Sequence, residues 1–189
     1  SDVASRALSV TAVKTDFVEK VYGNLASVYD VFFGPTLHAG RLEAIRNISI
    51  KPRDKVLEVG VGTAINAPLY PPHCSVTGVD LSVSMLEKAA RRIQRHNVSN
   101  MRLLQMDAAD LKFPDESFDY VILSQTLQAF LNTEIVLNEL LRIGKKAIVT
   151  IPNFGYWKVR LHLLIKGTMP ITENLPNEWY DTPNLHMCT

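Results

Sequence analysis

The stretch Val56-Leu57-Glu58-Val59-Gly60-Val61-Gly62-Thr63-Ala64, with Val76-Thr77-Gly78-Val79-Asp80 after it, decides the fold. An apolar strand runs into an acidic residue and a glycine turn. A second apolar strand then ends on a carboxylate, twenty residues after Gly60. This is the layout of a nucleotide-type cofactor site at one end of a parallel sheet. The glycines let the backbone turn tightly and approach a ligand, and Asp80 is placed to accept hydrogen bonds from a ribose diol.

The type of cofactor follows from two residues. A dinucleotide site wants glycine or alanine at the sixth motif position, where a helix N-terminus packs under a pyrophosphate. Ile65 stands there and is too large for that packing. Glu58, two residues ahead of Gly60, directs an anion at the space a pyrophosphate would fill. Such an anion repels phosphate and suits an ammonium group. S-adenosylmethionine carries an adenosine, a ribose diol and an amino group but no phosphate, so the motif reads as its binding site. A dinucleotide oxidoreductase is disfavoured by the same two residues.

The chain of 189 residues is read as one domain, with 47% hydrophobic and 21% charged residues, ordinary values for a globular protein. A net charge of +1 makes no global case for nucleic acid. Cys74 and Cys188 form neither a disulfide framework nor a metal-ligand spacing, and the five histidines are scattered, so no metal is assigned. No apolar run reaches the ~18 residues of a membrane span. The expected location is the cytoplasm, with peripheral attachment to the inner face of the membrane left open.

Periodicity organises the rest. Residues 6–30 and 36–48 read as helices, forming an N-terminal cap over 1–50. The core, 51–151, alternates strands at 55–59, 75–79, 101–105, 118–123 and 146–151 with helices at about 64–70, 83–96 and 132–142. Ser82 is the expected cap of the second of these helices. Asn153 is expected to cap a further helix, 154–166, that stops at Gly167, followed by an irregular tail to 189. Regular alternation with right-handed crossovers predicts an α/β, doubly wound, Rossmann-like parallel sheet.

Ligands of such sheets sit at the carboxyl ends of the strands, at the switch point in strand order. Glu58, Gly60 and Gly62 come from the first strand, and Asp80 from the second, with Leu81 and Met85 placed to cover an adenine. Asp107 is set to accept from the adenine amine and the Ala108 amide to donate to a ring nitrogen. Gln125, after the fourth strand, falls beside the reactive methyl group. Methyl transfer from a sulfonium needs alignment and dryness more than acid–base chemistry. No catalytic residue is assigned; Gln125, Tyr22 and Tyr156 are candidates by position.

Residues 20–120 resemble the bacterial phosphatidylethanolamine N-methyltransferases, class I S-adenosylmethionine-dependent enzymes. The matching stretches are Val28-Tyr29-Asp30, Phe33-Gly34-Pro35, the glycine motif itself, Ser75 to Asp80 and Met106-Asp107-Ala108. The resemblance implies that Tyr22 and Tyr29 are cofactor-binding tyrosines and that Arg41 contacts the cofactor carboxylate. Ala64 stands where that family usually has glycine, which is read as a mild change. From about Ser117 the chain resembles the methionine-biosynthesis protein MetW. The carriers are Ser124 to Ala129, Leu140 to Gly144, Pro152 to Trp157 and Glu178 to Asn184. That likeness implies a role beside homoserine O-acyltransferase. Two signatures on one chain fit a chimera, a designed sequence or an intermediate branch.

Two expectations concern the surface. Arg142, Lys145, Lys146, Lys158, Arg160 and Lys166 lie in a stretch with no acidic residue, beside Trp157 and several leucines. This stretch fits either an anionic membrane surface or a solvated helix face whose apolar side is in the core. The class I fold usually closes with two further strands, and no strand pattern follows Ile151. The fifth strand is therefore expected to be covered by 152–189 or paired with another copy of the chain. On that expectation the acceptor side is incompletely built, and cofactor binding outlasts methyl transfer.

Overall fold

The computed structural model describes residues 45, 47–124, 126–151, 153 and 155–170. Five strands form one sheet: β1 (Lys55–Val59), β2 (Ser75–Asp80), β3 (Met101–Gln105), β4 (Tyr120–Ser124) and β5 (Ala147–Thr150). Their order is β3-β2-β1-β4-β5, and every pairing is parallel. Among the described residues three α-helices of ten residues or more accompany them: α1 (Val83–Arg95), α2 (Thr133–Ile143) and α3 (Trp157–Lys166). The order reverses between β1 and β4, which puts the switch point beside the glycine turn. Doubly wound Rossmann-like architecture is thus what the sequence specifies. Among the described residues, β5 is an edge with no strand beyond it. The expected helices over 6–30 and most of 36–48, and the tail past 170, lie outside the described residues.

Alternation along β1 and β4 fills both faces of the sheet. Leu57, Val59, Val79, Val121 and Leu123 pack with Val136, Leu140 and Ile143 of α2 on one side. Val56, Val76, Tyr120 and Ile122 face Ile45, Tyr70 and Cys74 on the other. Continuous burial of this kind is the reason β4 reads as an apolar run and β1 as one interrupted within its buried part only by Glu58. Each fully buried leucine or valine contributes roughly 1.5–3 kcal/mol by leaving water. Gly144, just past α2, sits so close to β4 that a Cβ there would collide with Val121 Cγ2.

Two local expectations differ from the structure. The helix read at 64–70 is only a 3-10 turn, Ala67–Leu69. Ala64 takes φ +55°, outside the helical region, and Pro68 supplies no amide donor. The last helix starts at Trp157 rather than 154, because Asn153 Oδ1 accepts from the Gly155 amide at 2.9 Å, forming a turn before the helix. Ser82 does cap α1, accepting from the Met85 amide at 3.4 Å, and Gly167 closes α3 with φ +69°.

Candidate cofactor site

The glycine turn is built by left-handed backbone. Gly60 has φ +67° and Gly62 has φ +54°. A Cβ on Gly60 would meet the Thr126 side chain at 3.0 Å, whereas one on Gly62 would stand in open space. Gly60 is therefore glycine for packing against the β4 end as well as for its conformation. Gly62 leaves its side of the turn open. Ala64 shares the left-handed region with its methyl fully buried, so the departure from glycine carries strain of about 1 kcal/mol.

Asp80 ties this turn to the next helix. Its Oδ2 accepts from the Gly62 amide at 2.7 Å and its Oδ1 from the Ser82 amide at 2.9 Å. Burial pushes the carboxyl above its ordinary range, while the amides of Ser82, Gly62 and Leu81 oppose that shift. Each oxygen has a second lone pair for a ribose hydroxyl. Arg92, reaching from α1, donates to the Thr63 carbonyl at 3.0 Å and to its hydroxyl at 2.8 Å, clamping the far side of the turn.

Glu58 is placed differently from the expectation of an anion facing the ligand directly. It is 2% exposed and lies beneath the turn. Asn66 Nδ2 donates to its Oε1 at 2.6 Å and the Tyr70 hydroxyl to its Oε2 at 3.0 Å. Burial, reinforced by the Glu58 charge, holds the Tyr70 phenol well above its usual pKa, so it stays a donor. Sequence reasoning passed over Asn66, Tyr70, Arg92 and Thr126. The signal was available for the first two: a carboxylate inside an apolar strand must find donors, and Asn66 and Tyr70 are, with Thr63, the nearest side-chain donors downstream.

The other predicted residues gather at the same end of the sheet. The Met106 amide donates to the Asp80 carbonyl at 3.0 Å, bringing Asp107 and buried Ala108 alongside β2. Asp107 uses one oxygen for the Ala109 amide at 2.9 Å. Leu81 is half-buried and Met85 buried. Thr126 donates to the Ser124 carbonyl at 2.8 Å, which turns the chain after β4 toward Gly60. Tyr22, Tyr29, Arg41 and Gln125 lie outside the described residues. The set fits S-adenosylmethionine: a carboxylate at the β2 end, open space at Gly62, and a buried acceptor, Asn66 Oδ1, with no partner among the described residues. When bound, that cofactor supplies a methyl group already activated on a sulfonium.

The family-model comparison matches residues 41–189 to methionine biosynthesis protein MetW. The chain belongs to the MetW family. Its fold and its cofactor are those of class I S-adenosylmethionine-dependent methyltransferases, and it is an enzyme of that class. Phosphatidylethanolamine N-methyltransferase of Cereibacter sphaeroides is 33% identical over 146 residues, covering 76% of this chain and 71% of that protein. The bifunctional methionine biosynthesis protein MetXA/MetW of Rhodopirellula baltica is 46% identical over 76 residues, which is 38% of this chain and only 12% of that longer protein. A solved S-adenosylmethionine-dependent methyltransferase from Thermotoga maritima is 25% identical with a TM-score of 0.61, covering 84% of this chain and 72% of that one. The MetW match begins at residue 41, so it includes the glycine turn. The two likenesses therefore overlie one another across the core instead of meeting at a junction near residue 117.

The β5–α3 side carries a different surface. Of the six cations read as one stretch, Arg142 donates to Glu139 and Asp115, both at 2.6 Å, and Lys145 pairs with Asp119 at 2.8 Å. Lys146 lies over the Tyr120 ring, 5.1 Å from its centre. Acids from earlier in the chain thus neutralise two of the six cations, and an aromatic ring takes up a third. What remains is α3, with Lys158, Arg160 and Lys166 and no acidic residue. Val159 anchors this helix, while Trp157 is 60%, Leu164 83% and Ile165 67% exposed. No described helix is long and apolar enough to cross a membrane.

Proposed function

We propose that this methyltransferase acts on the amine of a phospholipid headgroup, phosphatidylethanolamine being the best fit, at an anionic membrane surface. The observation that carries the reading is α3. A helix that exposes Trp157, Leu161, Leu164 and Ile165 beside Lys158, Arg160 and Lys166 suits the boundary between headgroups and acyl chains. The 33% identity to a phosphatidylethanolamine N-methyltransferase across three quarters of the chain supports the same acceptor. In this reading the turn at Gly60–Gly62 and Asp80 orient the cofactor. Thr126 and the segment after β4 shape the side on which the amine arrives.

A second reading has its own support. The MetW match and the 46% identity to one part of MetXA/MetW favour an S-adenosylmethionine-binding partner of a homoserine O-acyltransferase. Incubation with methyl-labelled S-adenosylmethionine and phosphatidylethanolamine vesicles, run beside a pull-down with purified homoserine O-acyltransferase, separates the two. Label in the lipid with no acyltransferase capture is the expected result. Acyltransferase capture with unlabelled lipid would replace the first reading by the second.

A further inference from the structure

Asn66 is 3% exposed and precedes the 3-10 turn at Ala67–Leu69, but its side chain does not cap that turn. The ordinary reason for an asparagine at such a position is therefore missing. Its Nδ2 donates to Glu58 Oε1 at 2.6 Å. A carboxylate accepts the amide NH₂ and not the amide oxygen, so Glu58 fixes which end of the group faces it. Oδ1 is turned elsewhere, buried and without a hydrogen-bond partner among the described residues. Interiors seldom keep a buried acceptor in that condition without a use for it.

We propose that Asn66 is a further cofactor-binding residue, whose Oδ1 accepts from the ammonium group of S-adenosylmethionine while Glu58 holds its amide in place. The proposal rests on the reading of the β1–β2 turn as the cofactor site and says which part of the cofactor this corner recognises. An ammonium has three donors and no acceptor, so it matches both the orphan oxygen and the negative charge that Glu58 places beside it. A pyrophosphate offers only acceptors there; it would leave Oδ1 unmatched and lie close to the buried Glu58 carboxylate behind Asn66. Asn66 and Glu58 together thus select the ammonium-bearing tail. Tyr70 is a positioning residue, acting through Glu58 from 3.0 Å.

Calorimetric titration with three ligands tests this: S-adenosylhomocysteine, its analogue lacking the amino group, and methylthioadenosine, which lacks the whole amino-acid tail. In the parent protein S-adenosylhomocysteine is expected to bind about ten-fold or more tighter than the deaminated analogue. Asn66→Ala is expected to weaken S-adenosylhomocysteine about ten-fold while leaving the other two ligands within about three-fold. Equal loss for all three ligands would reduce Asn66 to a structural residue and overturn the proposal. So would a parent that binds the deaminated analogue as tightly as S-adenosylhomocysteine, an arm that decides the matter even where Asn66→Ala does not fold. A parent that binds none of the three would overturn the cofactor site itself.

Discussion

The β1–β2 turn and the α3 helix solve opposite problems. Around the turn, side chains are held by other parts of the chain: Glu58 by Asn66 and Tyr70, Asp80 by two amides, Thr63 by Arg92. On α3 only Val159 is buried, and large apolar side chains face outward beside three cations. A small ligand is bound tightly when its partners are fixed beforehand, because little ordering remains to be done on binding. A broad partner is met by exposed area instead. On the proposed reading, cofactor recognition is a property of a rigid corner and acceptor recognition a property of a surface.

The contrast is tested most severely at Glu58. Glu58→Ala strands two buried donors, the Asn66 amide and the Tyr70 hydroxyl, at about 1–3 kcal/mol each. Loss of several kcal/mol by urea or thermal unfolding is expected, together with loss of cofactor binding. An unchanged melting temperature would show that the corner is not cross-linked as described.

Next in size come the glycines. Gly144→Ala forces a methyl group into Val121 and is expected to destabilise by about 1–3 kcal/mol, with no specific effect on ligand affinity. Gly62→Ala is expected to cost about 1 kcal/mol of backbone strain and to lower cofactor affinity, since its Cβ enters the open side of the turn. Comparing unfolding free energy with calorimetric affinity for the two variants separates a packing glycine from a binding one.

The pH dependence of binding follows from Asp80. Burial raises its pKa, so the carboxylate proposed to receive the ribose protonates at a pH above its ordinary value. Affinity for S-adenosylmethionine should fall as pH drops through that raised value. Stability moves in the other direction. A raised folded-state pKa means ionisation is disfavoured in the fold, so Asp80 contributes most favourably below its unfolded pKa and less as pH rises through the folded one. Asp80→Asn should flatten the acid limb of an affinity-versus-pH curve.

The smallest effect on stability belongs to α3. Replacing Lys158, Arg160 and Lys166 together by alanine is expected to change stability by less than about 0.5 kcal/mol per site and to leave cofactor affinity alone. Sedimentation with anionic vesicles should drop, and the parent's binding should weaken with added salt. Equal sedimentation with neutral and anionic vesicles would remove the membrane surface from the account.

Much of this was legible beforehand for a physical reason. The strands of a doubly wound sheet are buried on both faces, so β1, β2 and β4 announce themselves as apolar runs, and the glycine turn and Asp80 follow by position. Ser82 and Gly167 were readable because caps are local. What sequence concealed depends on contacts across the fold. Residues 64–70 look helical by composition, but Ala64 is left-handed and Asn66 turns its amide to Glu58. The cation stretch after Arg142 looks unopposed in one dimension, yet Asp115, Asp119 and Glu139 stand against it in three. Thr126 became part of the site only because β4 lies next to β1.

The central claim is that S-adenosylmethionine binds at the β1–β2 turn with Asp80 as a principal anchor. Calorimetric titration of the parent and of Asp80→Ala with S-adenosylmethionine tests it most directly. Loss of charge-assisted hydrogen bonds worth about 1.5–3 kcal/mol should weaken binding by roughly one to two decades, with the melting temperature checked in parallel. Binding by Asp80→Ala as tight as by the parent would contradict the placement of the cofactor.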